Sequence, residues 1–167
     1  EGLDIRPDGR YVDVTFGGGG HSREIFKQLS EQGHLIGFDQ DPDAKANAWK
    51  APNFTFIAGN FAFLKNQLRM FNLFPVDGIL ADLGVSSHQF DTAERGFSFR
   101  FEGDLDMRMD RNATLDAKKV LNEYEESQLF EMFKLYGELK NARAIASRVV
   151  YKRATQPFRQ IEDLKFD

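Results

Sequence analysis

Four short β-branched and aromatic runs in the first 82 residues, separated by stretches of helical periodicity, constrain this chain more than any other feature. Strands are expected over residues 11–16, 35–39, 54–58 and 76–82, and helices over 22–31, 43–49 and 62–70. Successive strands joined through helices must run parallel, with right-handed crossovers, so the pattern predicts an α/β fold with a doubly wound parallel sheet. Four strands supply only the first part of such a sheet, which ordinarily has about six. The chain also opens on Glu1 rather than Met and stops at Lys165-Phe166-Asp167 without a terminating element, so a fragment of a longer protein is expected.

The alternation ends at Asp82. Residues 83–113 mix charges and aromatics without a period, and irregular stretches of that length are uncommon unless functional or disordered. Helical patterns resume over 114–124, 127–135 and 141–153, with Thr114 and Ser127 as expected N-caps and Gly137 as the break between the last two. A further helix is expected to start at Pro157. The expected organisation is a sheet domain over 1–113 and the start of a helical domain over 114–167.

Composition removes several chemistries. With no Cys among 167 residues there is no thiol nucleophile, thiolate zinc site, iron–sulfur cluster or disulfide framework. The three His, at 21, 34 and 88, are too scattered to suggest a metal site. No apolar run approaches the roughly 18 residues of a membrane-spanning helix, and no signal-peptide core is present, so a cytoplasmic location away from membranes is expected. The net charge of −4 is unevenly spread: residues 1–110 carry 11 basic and 17 acidic side chains, the remainder 11 and 9. Within 134–159, Lys134, Lys140, Arg143, Arg148, Lys152, Arg153 and Arg159 face only Glu138. Such a segment either meets a phosphate backbone or forms a solvated helix face.

Residues 17–20 are all glycine and lie where the first strand hands over to a helix, so bare backbone can approach a ligand and helix N-terminal N–H groups can bind an anionic group. Gly17 and Gly19 fit a dinucleotide fingerprint whose third glycine is replaced by Ser22. Asp39 ends the second strand, where an acid accepts hydrogen bonds from both ribose hydroxyls of a nucleoside cofactor; its alternative role is to cap the helix that follows. Asp82 ends the fourth strand, beside the first, at the carboxyl edge where ligands of open α/β sheets bind, or else forms a turn before Gly84. Phe61 follows the third strand, placed either to line an adenine pocket or, as one of 17 Phe, to pack in the core.

The runs Thr15-Phe16-Gly17-Gly18-Gly19-Gly20-His21-Ser22, Asp77-Gly78-Ile79-Leu80-Ala81-Asp82-Leu83-Gly84-Val85-Ser86-Ser87, Glu94-Arg95-Gly96-Phe97-Ser98-Phe99 and Leu105-Asp106-Met107-Arg108-Met109-Asp110 together resemble the RsmH (MraW) family. The resemblance continues through Tyr136-Gly137-Glu138 and Ala142-Arg143-Ala144-Ile145-Ala146, and so extends across the chain. It implies a methyltransferase that uses S-adenosylmethionine to modify the exocyclic N4 of a cytidine in small-subunit ribosomal RNA. The implied fold is a Rossmann-like sheet, incomplete here, with an inserted helical substrate-recognition domain. Matching by motif implies cofactor contacts from Gly19, Gly20 and His21 at the methionine end and Asp39 on the ribose, with Phe61, Asp82 and Gln89 completing the pocket. His88 stands where the family usually has proline, and Gly18 where a basic residue is common.

The implied nucleophile is weak, because the lone pair of a cytosine amine is delocalised into its ring. A preorganised acceptor for an amino hydrogen would sharpen that lone pair, and Asp82, Ser86 and Ser87 are the candidates. The base would be unstacked for reaction, with residues 83–113 as the clamp. Arg95, Arg100 and Arg108 then either touch RNA phosphates or pair with Glu94, Glu102, Asp104 or Asp106 to order the loop. The implied partner is small-subunit ribosomal RNA, free or in the assembled small ribosomal subunit, and the helices over 114–153 are equally suited to a homodimer surface. Two other functions fit part of the pattern. An NAD-dependent oxidoreductase is favoured by the glycines and Asp39 but opposed by Ser22 and the Asp82 motif, and a catalytically silent RNA- or ribosome-binding module would keep the fold alone.

Overall fold

The structure, a computed structural model, describes residues 2–165, in two compact units. The first runs to Ser86 and includes residues 109–111; the second holds residues 87–108 and the chain from Asn112 onward. In the first unit β1 (Arg10–Asp13), β2 (His34–Asp39), β3 (Phe54–Ala58) and β4 (Gly78–Leu80) form one parallel sheet in the order β3-β2-β1-β4, as expected of a Rossmann-like fold. Val12 stands opposite Ile36 on one side and Ile79 on the other.

Strand alternation divides the side chains between two faces. Tyr11, Leu35 and Phe54 pack with Ile25 of α1 (Gly20–Phe26) and Ala44 on one face, while Val12, Ile36 and Ile57 pack with Leu68 of α2 (Leu64–Met70) on the other. β2 is central and covered on both faces, so Leu35, Ile36 and Phe38 are wholly buried, the pattern of a parallel strand. The first face is aromatic: Trp49 stacks on Phe54 at 4.0 Å between centroids, and Phe16 meets Phe56 edge-on at 5.2 Å. Each such pair adds about 0.5–1.5 kcal/mol beyond its buried area.

β1 and β4 are shorter than expected because the chain leaves the regular ladder after Asp13. Val14 N–H then donates to Leu80 O at 2.9 Å and Phe16 N–H to Phe38 O at 3.1 Å, as the backbone splays into the glycine turn. The helix expected over 43–49 is a 3₁₀ segment, Pro42–Asn47, capped by Asp41, whose side chain accepts from Asp43 N–H at 3.0 Å. α1 ends at Phe26 rather than at 31, and Ser30 N–H is drawn to Pro7 O at 2.7 Å.

The second unit contains α3 (Ser87–Asp91), α4 (Ala117–Glu123), α5 (Glu126–Leu135) and α6 (Ala142–Arg153). Its core is Leu105, Leu121, Leu129, Ala146, Val149 and Phe158. Ala142, Ala146 and Val149 recur on one side of α6 and are all buried. Leu105 enters this core from the irregular segment, held by its N–H to Arg159 O at 3.1 Å, while Ile161 N–H bonds Gly103 O at 3.0 Å. The second unit thus takes in residues 87–108 together with the chain from Asn112 onward. A cleft of about 490 Å³ opens among Leu105, Leu115, Val120, Met132, Phe133 and Val149.

Two expected caps are replaced by neighbours. Asp116, not Thr114, caps α4 by accepting Lys119 N–H at 2.8 Å, and Glu125, not Ser127, caps α5 in a reciprocal box with Gln128. Ser127 falls inside the first turn of α5. The segment expected to be helical from Pro157 stays extended until a short 3₁₀ turn, Ile161–Leu164. Asn122 clamps it, accepting Phe158 N–H at 2.9 Å and donating to Phe158 O at 2.8 Å.

Candidate functional site

Strand order reverses between β1 and β4, and the crevice beyond the carboxyl ends of strands at such a point is where open α/β sheets bind ligands. The glycine turn borders it. Gly17 and Gly19 have φ of 48° and 75°, the left-handed region that glycine enters without strain. Gly19, the N-cap of α1, also leaves no space for a side chain, since a Cβ there would lie 3.0 Å from the buried Phe16 ring. A Cβ at Gly18 or Gly20 would meet nothing within 4 Å, so the turn faces open space on that side.

Asp39 is tied across this turn. Its Oδ2 accepts Gly17 N–H at 2.7 Å and its Oδ1 accepts Asp41 N–H at 2.9 Å. The capping role falls to Asp41 instead. Burial pushes the Asp39 carboxyl above the usual carboxylate range, helped by the charges of Asp41 and Asp13 and opposed by the two N–H donors. Asp39 O accepts Gly59 N–H at 2.7 Å, and Gln40 Oε1 accepts from Asn60 Nδ2 at 2.9 Å, which brings the turn after β3 alongside. Phe61 sits on that turn and is 43% exposed, so it is not a core residue.

On the other side of the turn, His21 Nε2 lies 3.2 Å from Asp82 Oδ2, with side chains 65% and 69% exposed. A contact this open contributes at most about 1 kcal/mol. Ser86 Cβ is 4.0 Å from where a Gly17 Cβ would stand. The first unit thus gathers Gly19, Gly20, His21, Asp39, Phe61, Asp82 and Ser86 around the ends of its strands. Ser87 and Gln89 belong to the second unit, where Ser87 opens α3 and Gln89 is buried within it.

Sequence reasoning missed a polar group inside this site. Asp13, at the end of β1, is 1% exposed and accepts from the fully buried Ser22 Oγ at 2.7 Å. Asn47 Nδ2 also holds Gly17 O at 3.0 Å. The available signal was an acid in an otherwise apolar strand, a place where polar side chains persist only with partners.

The arginines of the irregular segment order it from within. Arg95 is buried and donates to Arg108 O at 2.9 Å; Arg108 in turn grips Asp106 at 2.8 and 2.6 Å and holds that carboxyl below its ordinary range. Arg100 pairs loosely with Asp91 at 3.8 Å. In the basic segment, Arg153 donates to the carbonyls of Leu121 and Tyr124 at 3.0 and 2.6 Å, and Lys152 donates to Asp163 O at 2.6 Å. Lys134 and Arg143 remain exposed over the Phe130 ring, with Lys140 exposed nearby and Tyr136 and Tyr151 projecting at 86% and 80% exposure. Among the described residues no cluster of His, Asp or Glu is arranged to hold a metal ion, and no helix is long and apolar enough to cross a membrane.

Residues 1–166 match the family described as the MraW methylase family. The chain is 58% identical over 161 residues to the ribosomal RNA small subunit methyltransferase H of Bacteroides thetaiotaomicron, covering 96% of this chain and 53% of that relative. It is 56% identical over 165 residues to the protein of the same name from Flavobacterium johnsoniae, covering 99% and 55%. With the counterpart from Parabacteroides distasonis it shares 56% identity over 164 residues, covering 98% and 54%. The chain spans about half the length of the curated relatives it matches.

Proposed function

We propose, from the premise that this chain belongs to the MraW methylase family, that it carries the cofactor site of an S-adenosylmethionine-dependent methyltransferase acting on the N4 amine of a cytidine in small-subunit ribosomal RNA. The observation that carries this reading is the convergence of the Gly17 turn, Asp39, His21 and Asp82 on one switch point of the sheet.

The residues present fit such a cofactor. Each oxygen of Asp39 accepts one backbone N–H and retains a second lone pair, which suits a pair of ribose hydroxyls. Gly20 borders open space beside the close-packed Gly19, His21 is exposed, and the exposed Phe61 offers an apolar face to an adenine. Gln89 enters the set on the family resemblance alone, and Ser87 as a candidate acceptor for the amine. When bound, the cofactor supplies a methyl group already activated on a sulfonium.

The protein's task is then to hold the amine in line, a positioning effect worth up to about 7–11 kcal/mol in favourable systems. Asp82, or a hydroxyl of Ser86 or Ser87, accepts an amino hydrogen and keeps the nitrogen lone pair directed at its target. The exposed acid Asp82 at the crevice favours a cationic ligand there.

Lys134, Lys140 and Arg143, with Tyr136 and Tyr151, provide charge and stacking surfaces for RNA on the helical unit, read as the start of the substrate-recognition domain over 114–167. The proposal includes a cytoplasmic location, free or assembled small-subunit RNA as substrate, and a homodimer through the helices over 114–153.

The test is transfer of labelled methyl from S-adenosylmethionine by the full-length protein into undermethylated small ribosomal subunits. Label recovered as N4-methylcytidine, and absent with Asp39→Ala, is the expected result. Tight cofactor binding without label points to another substrate, and absence of cofactor binding overturns the reading.

A further inference from the structure

The His21–Asp82 pair is too exposed to hold its own geometry, so something else must set where Asp82 stands. Asp82 N–H donates to Thr15 Oγ1 at 2.8 Å. That hydroxyl has a single proton, and it is directed to Asp13 Oδ1 at 3.3 Å, beside a second bond from Thr15 N–H at 3.1 Å. Asp13 Oδ2 accepts from Ser22 Oγ at 2.7 Å, and Ser22 is the residue after His21 in the first turn of α1. The chain of contacts closes on itself, from Asp82 through Thr15, Asp13 and Ser22 to His21 and back to Asp82.

We infer that Asp13 and Thr15 form a positioning relay that fixes Asp82, and with it the His21–Asp82 pair, from inside the core. Three donors converge on the Asp13 carboxyl and none of them belongs to a cation, so its oxygens act as acceptors that orient their neighbours. With its proton committed to Asp13, Thr15 Oγ1 can only accept, and among the described residues the donor it meets is the Asp82 backbone. Ser22 anchors the other half of the pair in the same way, through the first turn of α1. Asp13 and Thr15 touch no substrate in this scheme; they act through Asp82 and His21.

Thr15→Val keeps the branched shape and deletes the hydroxyl, and Thr15→Ser keeps the hydroxyl. Amide hydrogen exchange at Asp82 reads the bond directly: Thr15→Val is expected to raise the rate about tenfold, the equilibrium counterpart of one neutral hydrogen bond, whereas Thr15→Ser stays near the native rate. The functional arm rests on the methyltransferase reading and uses the full-length protein. There Thr15→Val is expected to lower kcat about tenfold with the KM for RNA unchanged, Thr15→Ser to restore it, and Thr15→Val to add nothing in an Asp82→Asn background.

Native exchange at Asp82 in Thr15→Val overturns the relay, as does a full additional loss in the Asp82→Asn background. Faster exchange with unchanged kcat overturns the positioning role while leaving the methyltransferase reading intact. If the native protein neither binds S-adenosylmethionine nor transfers methyl, that reading fails and the exchange rates alone decide the relay.

Discussion

Asp39 Oδ2 accepts the backbone N–H of Gly17 at 2.7 Å, so the acid that ends β2 sets the turn that follows β1. Asp39→Ala removes an acceptor from two backbone donors and the partner proposed for ribose. Hydrogen bonds to a charged group contribute about 1.5–3 kcal/mol, so affinity for S-adenosylmethionine is expected to fall roughly ten- to hundredfold. Calorimetric titration checks this, and an unchanged affinity would remove Asp39 from the cofactor site.

Acidification acts on the sheet through His34, whose Nε2 lies 2.9 Å from Thr55 Oγ1. Burial, and then the charge of Arg10, lower its pKa below 6.5. The unfolded chain takes up this proton near 6.5 while the folded chain resists it, so stability falls as pH drops through that value. Urea midpoints at about pH 7.5 and about pH 5.5 should show the loss, and His34→Gln should remove its share of it. Asp39 contributes with the opposite sign. Its raised pKa means the folded state protonates first on acidification, and the cost of burying its charge is relieved as pH falls.

Gly96 is where the irregular segment tolerates no side chain. Its φ is 73°, and a Cβ would sit 2.5 Å from Asp104 O. Gly96→Ala is expected to destabilise the second unit by more than the roughly 1–2 kcal/mol of left-handed strain alone, because backbone must also move. A thermal melt within error of the native chain would show that the turn relaxes without cost.

If Lys140 and Arg143 meet RNA phosphates, Lys140→Glu with Arg143→Glu should weaken binding to undermethylated small subunits. The salt dependence discriminates. Two lost phosphate contacts reduce the slope of log K against log salt by about 1.4–1.8, whereas an unchanged slope would show that the hairpin of α5 and α6 lies outside the footprint.

What the sequence made legible was what lies close along the chain or repeats with a period. β3 spans the residues expected of it, and the grouping of Gly17, Asp39 and Asp82 followed from their places at, or just past, the ends of β1, β2 and β4. Features that depend on distant backbone were hidden. Leu105 reads as one apolar residue in an aperiodic stretch until Arg159 O, more than fifty residues on, fixes its N–H in the helical core. Arg95 reads as a surface charge until its burial against Arg108 O is visible. Asp116, the stronger cap, displaced Thr114, whereas Glu125 took the place of Ser127 only through its reciprocal box with Gln128, a pairing that a ranking of single cap residues does not reveal.

β4 carries a practical consequence. It is three residues long, bonds only to β1 among the described strands, and leaves Ile79 49% exposed. A strand open on one side is a template for another copy, and so short a rim makes that pairing weak and dependent on protein concentration. Self-association of this chain through β4 is accordingly expected to be weakened by Ile79→Lys, which places a charge on that edge, and sedimentation at rising protein concentration reads the change.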